Sequence, residues 1–508
     1  MVMDDQSAVS RSLARNRLGW LLLGGLMLAS AAPLTVVGGG VTTGWAVTGL
    51  LGIPAAYVLG AALLTLFAVG YTTMASRLPN AGAFYTLQTA GLGRPAGVAA
   101  GWVALASYCA MQIGLYGGLG VVGSDAMAQV LGVQVPWYAV AAAGWAVIAI
   151  CGVLKVDFNG LVLLVLLVVE IAVVLVFDVV QLAHPHAGAV SAAAMNPSTL
   201  TSGGASGLVA VVIALTGFVG FEDAPNYAEE AKAGATTKAV FVSLAITAVL
   251  YSVSSFAMTV AAGPGNVIAG STTYGTEFLF HLAGPYVPHI LIDVGRLLFV
   301  TSLFAAGLAF HGTFNRYAFA MGRDRVLPAR LSRTWGRTRS PAYASLTQST
   351  IAALVLIAVA VSGADPQVVL FFDGTVWAGF GVLLLLTACC VAQLRYFARH
   401  GGATIWQRVI CPSLAGLGLA VVVVVSATSF GTLMGVPDDS LQARLMLAAF
   451  AAIIAAAVFW ALVRRRLAPD AYDLIGRTGD DVYLAATGRT GTAGRTGTPD
   501  PIVLGGEV

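Results

Sequence analysis

Three acidic side chains stand where hydrocarbon would be expected. Two of them, Glu222 and Asp223, come just after a pair of glycines in GFVGFEDAPNYAEEAK, Gly217 to Lys232, and the third, Glu170, stands alone in LVLLVLLVVEIAVVLVF. A carboxylate inside a membrane span is costly and marks a functional site unless a structural partner explains it. The chemistry open to Glu222 is gating, proton exchange or contact with a cationic ligand, against the alternative of a satisfied structural acid. Asp223 is next in sequence, so on a continuous helix it lies about 100° further round and is the weaker candidate. Glu229 and Glu230 are expected to reach water. Glu170 is either the carrier of a coupled proton or a neutral structural residue. His311, in AFHGTFNRY, has no metal-binding partner at helical spacing and reads as a packing or hydrogen-bonding histidine. Asp293 and Arg296, three apart on one helix face, are placed to neutralise each other. There is no HExxH, GxSxG or Walker loop, so neither a metal, a cofactor nor an enzymatic constellation is expected, and an energising ATPase would have to be another chain.

The elements that position these residues can be inferred from composition. Of 508 residues, 58% are hydrophobic and 10% charged, and the mean hydropathy is +0.86. A soluble domain of this length would expose more surface than so few charges solvate, which leaves an all-α polytopic membrane protein. A net charge of +3 carries no signal of nucleic-acid binding. The cysteines, Cys109, Cys151, Cys389, Cys390 and Cys411, lie in or beside apolar runs without metal-like spacing and read as small buried side chains. The polar start lacks a convincing cleavage site, so the first apolar run is expected to stay as a span. GRTG recurs from Gly476, Gly488 and Gly494 in a Gly/Thr-rich tail that reads as disordered.

Hydrocarbon thickness requires about 20 apolar residues per helix. That criterion predicts twelve spans, at 19–44, 50–76, 95–122, 136–154, 158–181, 205–228, 238–262, 290–318, 343–362, 368–394, 408–431 and 442–464. With the N-terminus cytoplasmic, the inner segments hold Arg11, Arg15, Arg17, Arg77, Arg94, Lys155, Lys232, Lys238, the cluster Arg316 to Arg339, Arg395, Arg399, Arg408 and Arg464 to Arg466. The outer connections hold only Arg444, and Arg296 falls within a span. This asymmetry satisfies the positive-inside rule and puts both termini in the cytoplasm of a cell (plasma) membrane protein.

Two spans are interrupted. Gly217 and Gly220 bracket Phe218 and Val219 in span six. Span one reads LASAAPLTVVGGG, with Pro33 mid-span and three glycines after it. Proline removes a ladder hydrogen bond and glycine weakens the helix, and such breaks survive in lipid where they line a cavity. Breaks five helices apart imply a second five-helix unit inserted upside down, the inverted repeat of a secondary transporter, with the ligand where the breaks meet. The division expected is a cytoplasmic tail 1–18, a first repeat 19–181, a second repeat 205–394, two further spans 408–464 and a cytoplasmic tail 465–508.

FVGFEDAPNYAEEAK resembles the span-six signature of the amino acid–polyamine–organocation (APC) superfamily. RYAFAMGRDRVLP (Arg316 to Pro328) resembles that family's segment after span eight, and LPNAGAFYTLQTAGLGRPAG (Leu78 to Gly97) its loop between spans two and three. The resemblance implies a LeuT-type five-plus-five inverted repeat with two extra C-terminal helices, and a permease for amino acids or related amines. Where many members carry a Gly-Ser-Gly-like break, this chain has Ser30-Ala31-Ala32-Pro33-Leu34-Thr35.

On that resemblance, the substrate carboxylate belongs at the break of span one, among Ser30, Ala31, Ala32, Pro33 and Thr35, where free amides favour an anion. The ammonium belongs at carbonyls near Thr216, Gly217 and Phe218, with Gly220 completing the break and Phe218 either covering the substrate or packing. Thr301 and Ser302 in span eight are placed to offer hydroxyls to a sodium ion, or simply to bond backbone. Tyr108 and Gln112 share a face of span three that points at the cavity. The expected partners are a small-molecule substrate, the lipid bilayer and a co-transported proton or sodium ion. The alternatives are a permease of another solute such as a nucleobase, and, less well supported, a channel or a membrane-embedded enzyme.

Overall fold

The computed structural model describes residue 13 and residues 16–336 and 338–476. The expected tail from 477 onward, and most of the tail before 18, lie outside the described residues. Among the described residues the structure is helical, its extended pairing limited to one parallel bridge between Leu18 and Ala231. Eleven helices are long and apolar enough to cross a membrane, and a twelfth apolar helix, Trp137–Cys151, has 15 residues and occupies the place of span four.

The remaining spans are Trp20–Thr48, Ile53–Ala75, Arg94–Leu131, Val156–Ala183, Ala205–Tyr227, Ala235–Ala262, His289–Arg323, Ala342–Ser362, Gln367–His400, Trp406–Thr428 and Leu441–Leu467. Spans three, eight and ten run past their expected ends. Hydropathy marks where lipid begins, whereas helix geometry continues into polar sequence as long as nothing breaks the ladder.

Span one stops at Ser30, resumes at Pro33, and passes through a π-helical turn, Val36–Gly40, before Val41–Thr48. Pro33 has no N–H, and Ala32 just before it adopts a left-handed conformation with φ 44°. Span six is α-helical over Ala205–Thr216 and then turns tightly into a 3-10 segment, Phe221–Tyr227. The corner is Gly220, at φ 113°, a backbone geometry only glycine adopts freely.

These two breaks touch. A Cβ built on Gly220 would overlap the Cβ of Ser30. Replacing Gly220 by leucine would therefore disturb the fold, because the glycine admits span one as well as bending span six.

Span five shows how the chain aims its polar groups inward. Phe158, Leu161, Val165, Val168, Leu175 and Val179 are exposed, while Leu163, Leu167, Glu170, Val174, Phe177, Asp178 and Gln181 are buried. In lipid the exposed stripe is the apolar one, so the acids are turned to the protein interior.

Candidate functional site

A cavity lies at the junction of the two breaks. Ser30, Ala31, Ala32 and Thr35 of span one and Thr216 and Gly217 of span six border it. It extends past Val47, Thr276 and Leu433, at the end of the molecule away from the arginine-rich loops. The rest of its wall is mostly apolar, with Met111, Leu115, Ile213, Phe310, Phe372 and Phe380 among the lining side chains beside the hydroxyls of Thr43, Thr375 and Ser426. Pro33, Tyr108, Phe218 and Gly220 are at or against the breaks but outside this wall, and Gln112 lies outside it too.

Each break is held by its own set of partners. At span one, the first free amide after Pro33, Leu34 N–H, donates to Glu170 Oε1 at 2.6 Å. Ser302 Oγ donates to the same oxygen at 2.9 Å, and Thr35 Oγ1 donates to Ser302 Oγ at 3.1 Å. The Ala31 carbonyl accepts from the Tyr251 hydroxyl of span seven at 2.7 Å. Glu170 is thus the cap of the broken helix, reaching it from span five. Thr301 does not join this cluster; its hydroxyl bonds the Leu298 carbonyl of its own helix at 3.0 Å.

At span six the chain caps itself. Glu222 Oε2 accepts from Gly220 N–H at 2.8 Å, and Oε1 accepts from the Tyr108 hydroxyl at 3.0 Å. Tyr71 donates to the Glu222 carbonyl at 2.8 Å. Asp223 is as fully buried as Glu222. Its Oδ2 accepts from Thr313 at 2.9 Å and from Ser30 at 3.3 Å, and its Oδ1 accepts from Asn226 at 3.2 Å. The lower ranking of Asp223 assumed a continuous α-helix. The 3-10 turn instead brings both acids inward, and Asp223 links span six to span one and span eight.

Phe218 packs against Tyr57 and Tyr251, with centroids 6.0 and 5.3 Å away, and is fully buried in that aromatic cluster. Gln112 belongs to a separate polar cluster. Its Nε2 donates to Tyr116 at 2.8 Å and lies 3.0 Å from His311 Nδ1, and its Oε1 accepts from Gln348 at 2.6 Å. With Gln112 donating to Nδ1, His311 has its Nε2–H for Ser345 Oγ, 2.8 Å away. This makes His311 a hydrogen-bonding residue among spans three, eight and nine.

On the arginine-rich side, ion pairs join spans six and eight, and none of their residues borders the cavity. Arg316 and Arg323, seven residues apart on span eight, pair with Glu230 at 2.6 Å and Glu229 at 2.9 Å. Contrary to the expectation from its position past span six, Glu230 does not reach water, because Arg316 takes it into the interior. Beside them Asp324 accepts from Tyr85 at 2.7 Å and from Gly476 N–H at 2.8 Å. At the opposite end Arg296 does contact Asp293, at 3.4 Å, but its closer partner is Glu277, at 2.9 Å.

Sequence reasoning missed Tyr251 and Asp178, although the buried polar residues of span seven, Ser243, Thr247, Tyr251, Ser255 and Thr259, recur at intervals of four and so were legible as an inward face.

Three comparisons bear on this arrangement. The chain is 26% identical over 335 residues, 61% of its length and 68% of the relative's, to the branched-chain amino acid permease BcaP of Bacillus subtilis (strain 168). Its fold is similar to the manganese transporter of Eremococcus coleocola crystallised with an aromatic bis-isothiourea compound. There the TM-score is 0.53 at 15% identity, covering 89% of this chain and 96% of that one. A mutant of the same transporter gives a TM-score of 0.53 at 13% identity, over 87% and 93% of the two chains. At such identities the structural likeness shows the fold, a LeuT-like arrangement of helices. The profile described as amino acid permease matches residues 20–463, nearly the whole described chain: the chain belongs to the amino acid permease family, within the APC superfamily.

Proposed function

We propose that this protein is a proton-coupled secondary transporter of neutral amino acids with apolar side chains, working by alternating access around the breaks of spans one and six. One observation carries it: the cavity between the two breaks is walled by hydroxyls and apolar side chains, with no charged side chain among its lining residues. The substrate's carboxylate would sit at the Ser30–Thr35 break and its ammonium at the Thr216–Gly217 end of span six, leaving its side chain against Met111, Ile213 and Phe310. A polyamine would need an acid in that wall, and Glu222 and Asp223 are instead committed to the backbone and hydroxyls of the break. Manganese, named for the structural neighbour, is not carried over, since among the described residues no group of three or more His, Cys, Asp or Glu side chains is placed to hold a metal ion. The related permease for branched-chain amino acids supports the same substrate class.

Coupling falls to Glu170. It accepts the Leu34 amide of the broken span, so its charge state and the position of that half-helix are linked. Glu222 is the second candidate, acting at span six. The chain divides into repeats 19–181 and 205–394, and then 408–464, in a plasma membrane with the arginine-rich face cytoplasmic.

The test is reconstitution in liposomes. L-leucine counterflow without a gradient is expected, together with L-leucine uptake driven by an inward proton gradient. Failure of L-leucine, L-isoleucine, L-valine and L-phenylalanine to exchange would overturn the substrate class. Uptake that tracks sodium and ignores the proton gradient would overturn the coupling.

A further inference from the structure

Outside these clusters span five carries another buried acid, Asp178, on the same inward stripe as Glu170 and eight residues beyond it, about 12 Å along the helix. Its side chain is 2% exposed. Oδ2 accepts from Ser254 Oγ of span seven at 2.7 Å, and Oδ1 has no hydrogen-bond partner among the described residues. Gln181, one turn further on, is likewise buried with an unpartnered Oε1, while its Nε2 donates to the Leu279 carbonyl. An acid held by one serine is a poor structural element. Asparagine would keep the serine bond without a charge to desolvate, and buried charges retained for structure are paired.

The titratable side chains on elements packed against span five are these. Span seven carries Tyr251 and, at its other end, Lys238 over the Trp20 ring, and the short helix Phe278–Ala283 carries His281, which stacks on Tyr274 with centroids 3.8 Å apart. Span eight carries the exposed His289 at its start, Arg296, already held by Glu277 and Asp293, His311, which is held in its own cluster, and farther along Tyr317 and the paired Arg316 and Arg323. On span five's own continuation, His184 stacks on Tyr286. No ion pair reaches Asp178 among the described residues. Across the interface, Ser254 touches Asp178, and Tyr251, three residues away on the same face, donates to Ala31 of the same break whose Leu34 amide Glu170 accepts.

We propose that Asp178 is a second proton-binding site, and that Asp178, Ser254, Tyr251 and Glu170 form a proton route along the interface of spans five and seven. This rests on the reading of Glu170 as the coupling acid. None of the four borders the substrate cavity, so proton and substrate enter by different paths. A proton bound at Asp178 passes to the Glu170 carboxylate. Asp178 is left as the anion until water at the near end of span five, beyond Gln181, protonates it again.

The experiment compares wild type with Asp178→Asn, Asp178→Glu and Glu170→Gln in liposomes, using L-leucine as substrate. Asp178→Asn is expected to slow gradient-driven uptake by about tenfold and to change its dependence on external pH. Counterflow and thermal stability are expected to stay near wild type, and Asp178→Glu is expected to restore uptake. Wild-type uptake and pH profile in Asp178→Asn, with Glu170→Gln defective, would overturn the route and spare Glu170. If Glu170→Gln keeps gradient-driven uptake, the coupling reading fails and the route with it. Loss of counterflow and stability together in Asp178→Asn would make the residue structural and also overturn the proposal. Infrared difference spectra across pH provide a check without substrate. A protonated-carboxyl band lost in Asp178→Asn is expected, and its absence from the wild type would overturn the site.

Discussion

The breaks of spans one and six solve the same problem by opposite means. Span six caps its corner amide from within, by a carboxylate two residues past its own corner glycine, with Tyr71 and Tyr108 bonding that glutamate from neighbouring spans. Span one borrows its caps, an acid from span five for the Leu34 amide and a tyrosine from span seven for the Ala31 carbonyl. A self-capped break is fixed by local geometry and moves as a unit. A break capped from other helices changes whenever those helices shift or the acid changes charge. Span one is on this argument the responsive half of the site, and span six the half that holds its shape.

A substitution at Gly220 challenges this contrast most severely. Its left-handed φ and its contact with Ser30 leave no room for a side chain. Gly220→Leu is expected to cost more than about 4 kcal/mol and to yield little monodisperse protein in detergent, measured by size-exclusion chromatography and thermal unfolding. Gly220→Ala is expected to be milder but clearly destabilised. Well-folded Gly220→Leu would show that the corner of span six is not fixed.

Next is the pair Glu170→Gln and Glu222→Gln. Glutamine keeps an acceptor for Leu34 N–H, so Glu170→Gln is expected to remain folded, to lose gradient-driven L-leucine uptake and to retain counterflow. Glu222→Gln is expected to preserve more of the gradient-driven component, because its carboxylate serves the backbone of its own turn. Equal effects on both activities in the two variants would erase the distinction between a responsive and a fixed break.

A smaller effect isolates the second borrowed cap. Tyr251→Phe removes one hydrogen bond to a buried carbonyl and is expected to lower stability by about 1 kcal/mol. It should also raise the reactivity of a cysteine introduced at Ala31, measured by thiol labelling. Unchanged reactivity would mean that span one does not depend on span seven. Smallest of all, Thr301→Ala is expected to lie within about 0.5 kcal/mol of wild type, since its hydroxyl only bonds its own helix. Ser302→Ala should exceed it, having removed a donor to Glu170.

Much of this was legible in the sequence. Hydropathy alone implied twelve spans; among the described residues eleven helices are long and apolar enough to cross, and span four, Trp137–Cys151, is shorter. Pro33 and the glycines at 217 and 220 announced where helices stop, because those residues act on their own backbone. The inward pairing of Arg316 and Arg323 with Glu230 and Glu229 was also within reach, from a two-turn spacing set against adjacent acids. The residue-level roles were harder. Tyr108 and Gln112 share a helix face, yet one serves Glu222 and the other a cluster with His311, a difference that depends on which neighbours arrive.

The amino-acid order was sufficient for everything that arises from one segment's interaction with lipid and with its own backbone: the spans, their breaks, and the acids that hydrocarbon would not tolerate unpartnered. Helix packing was needed to establish that Glu170 caps Leu34 across 136 residues of chain, that Tyr251 reaches Ala31, and that Asp223 faces inward. Each of these is a hydrogen bond between helices. Periodicity gives the direction of a side chain around its own axis, but not the rotation, tilt and depth of the helix it meets, which are set by close packing of all twelve.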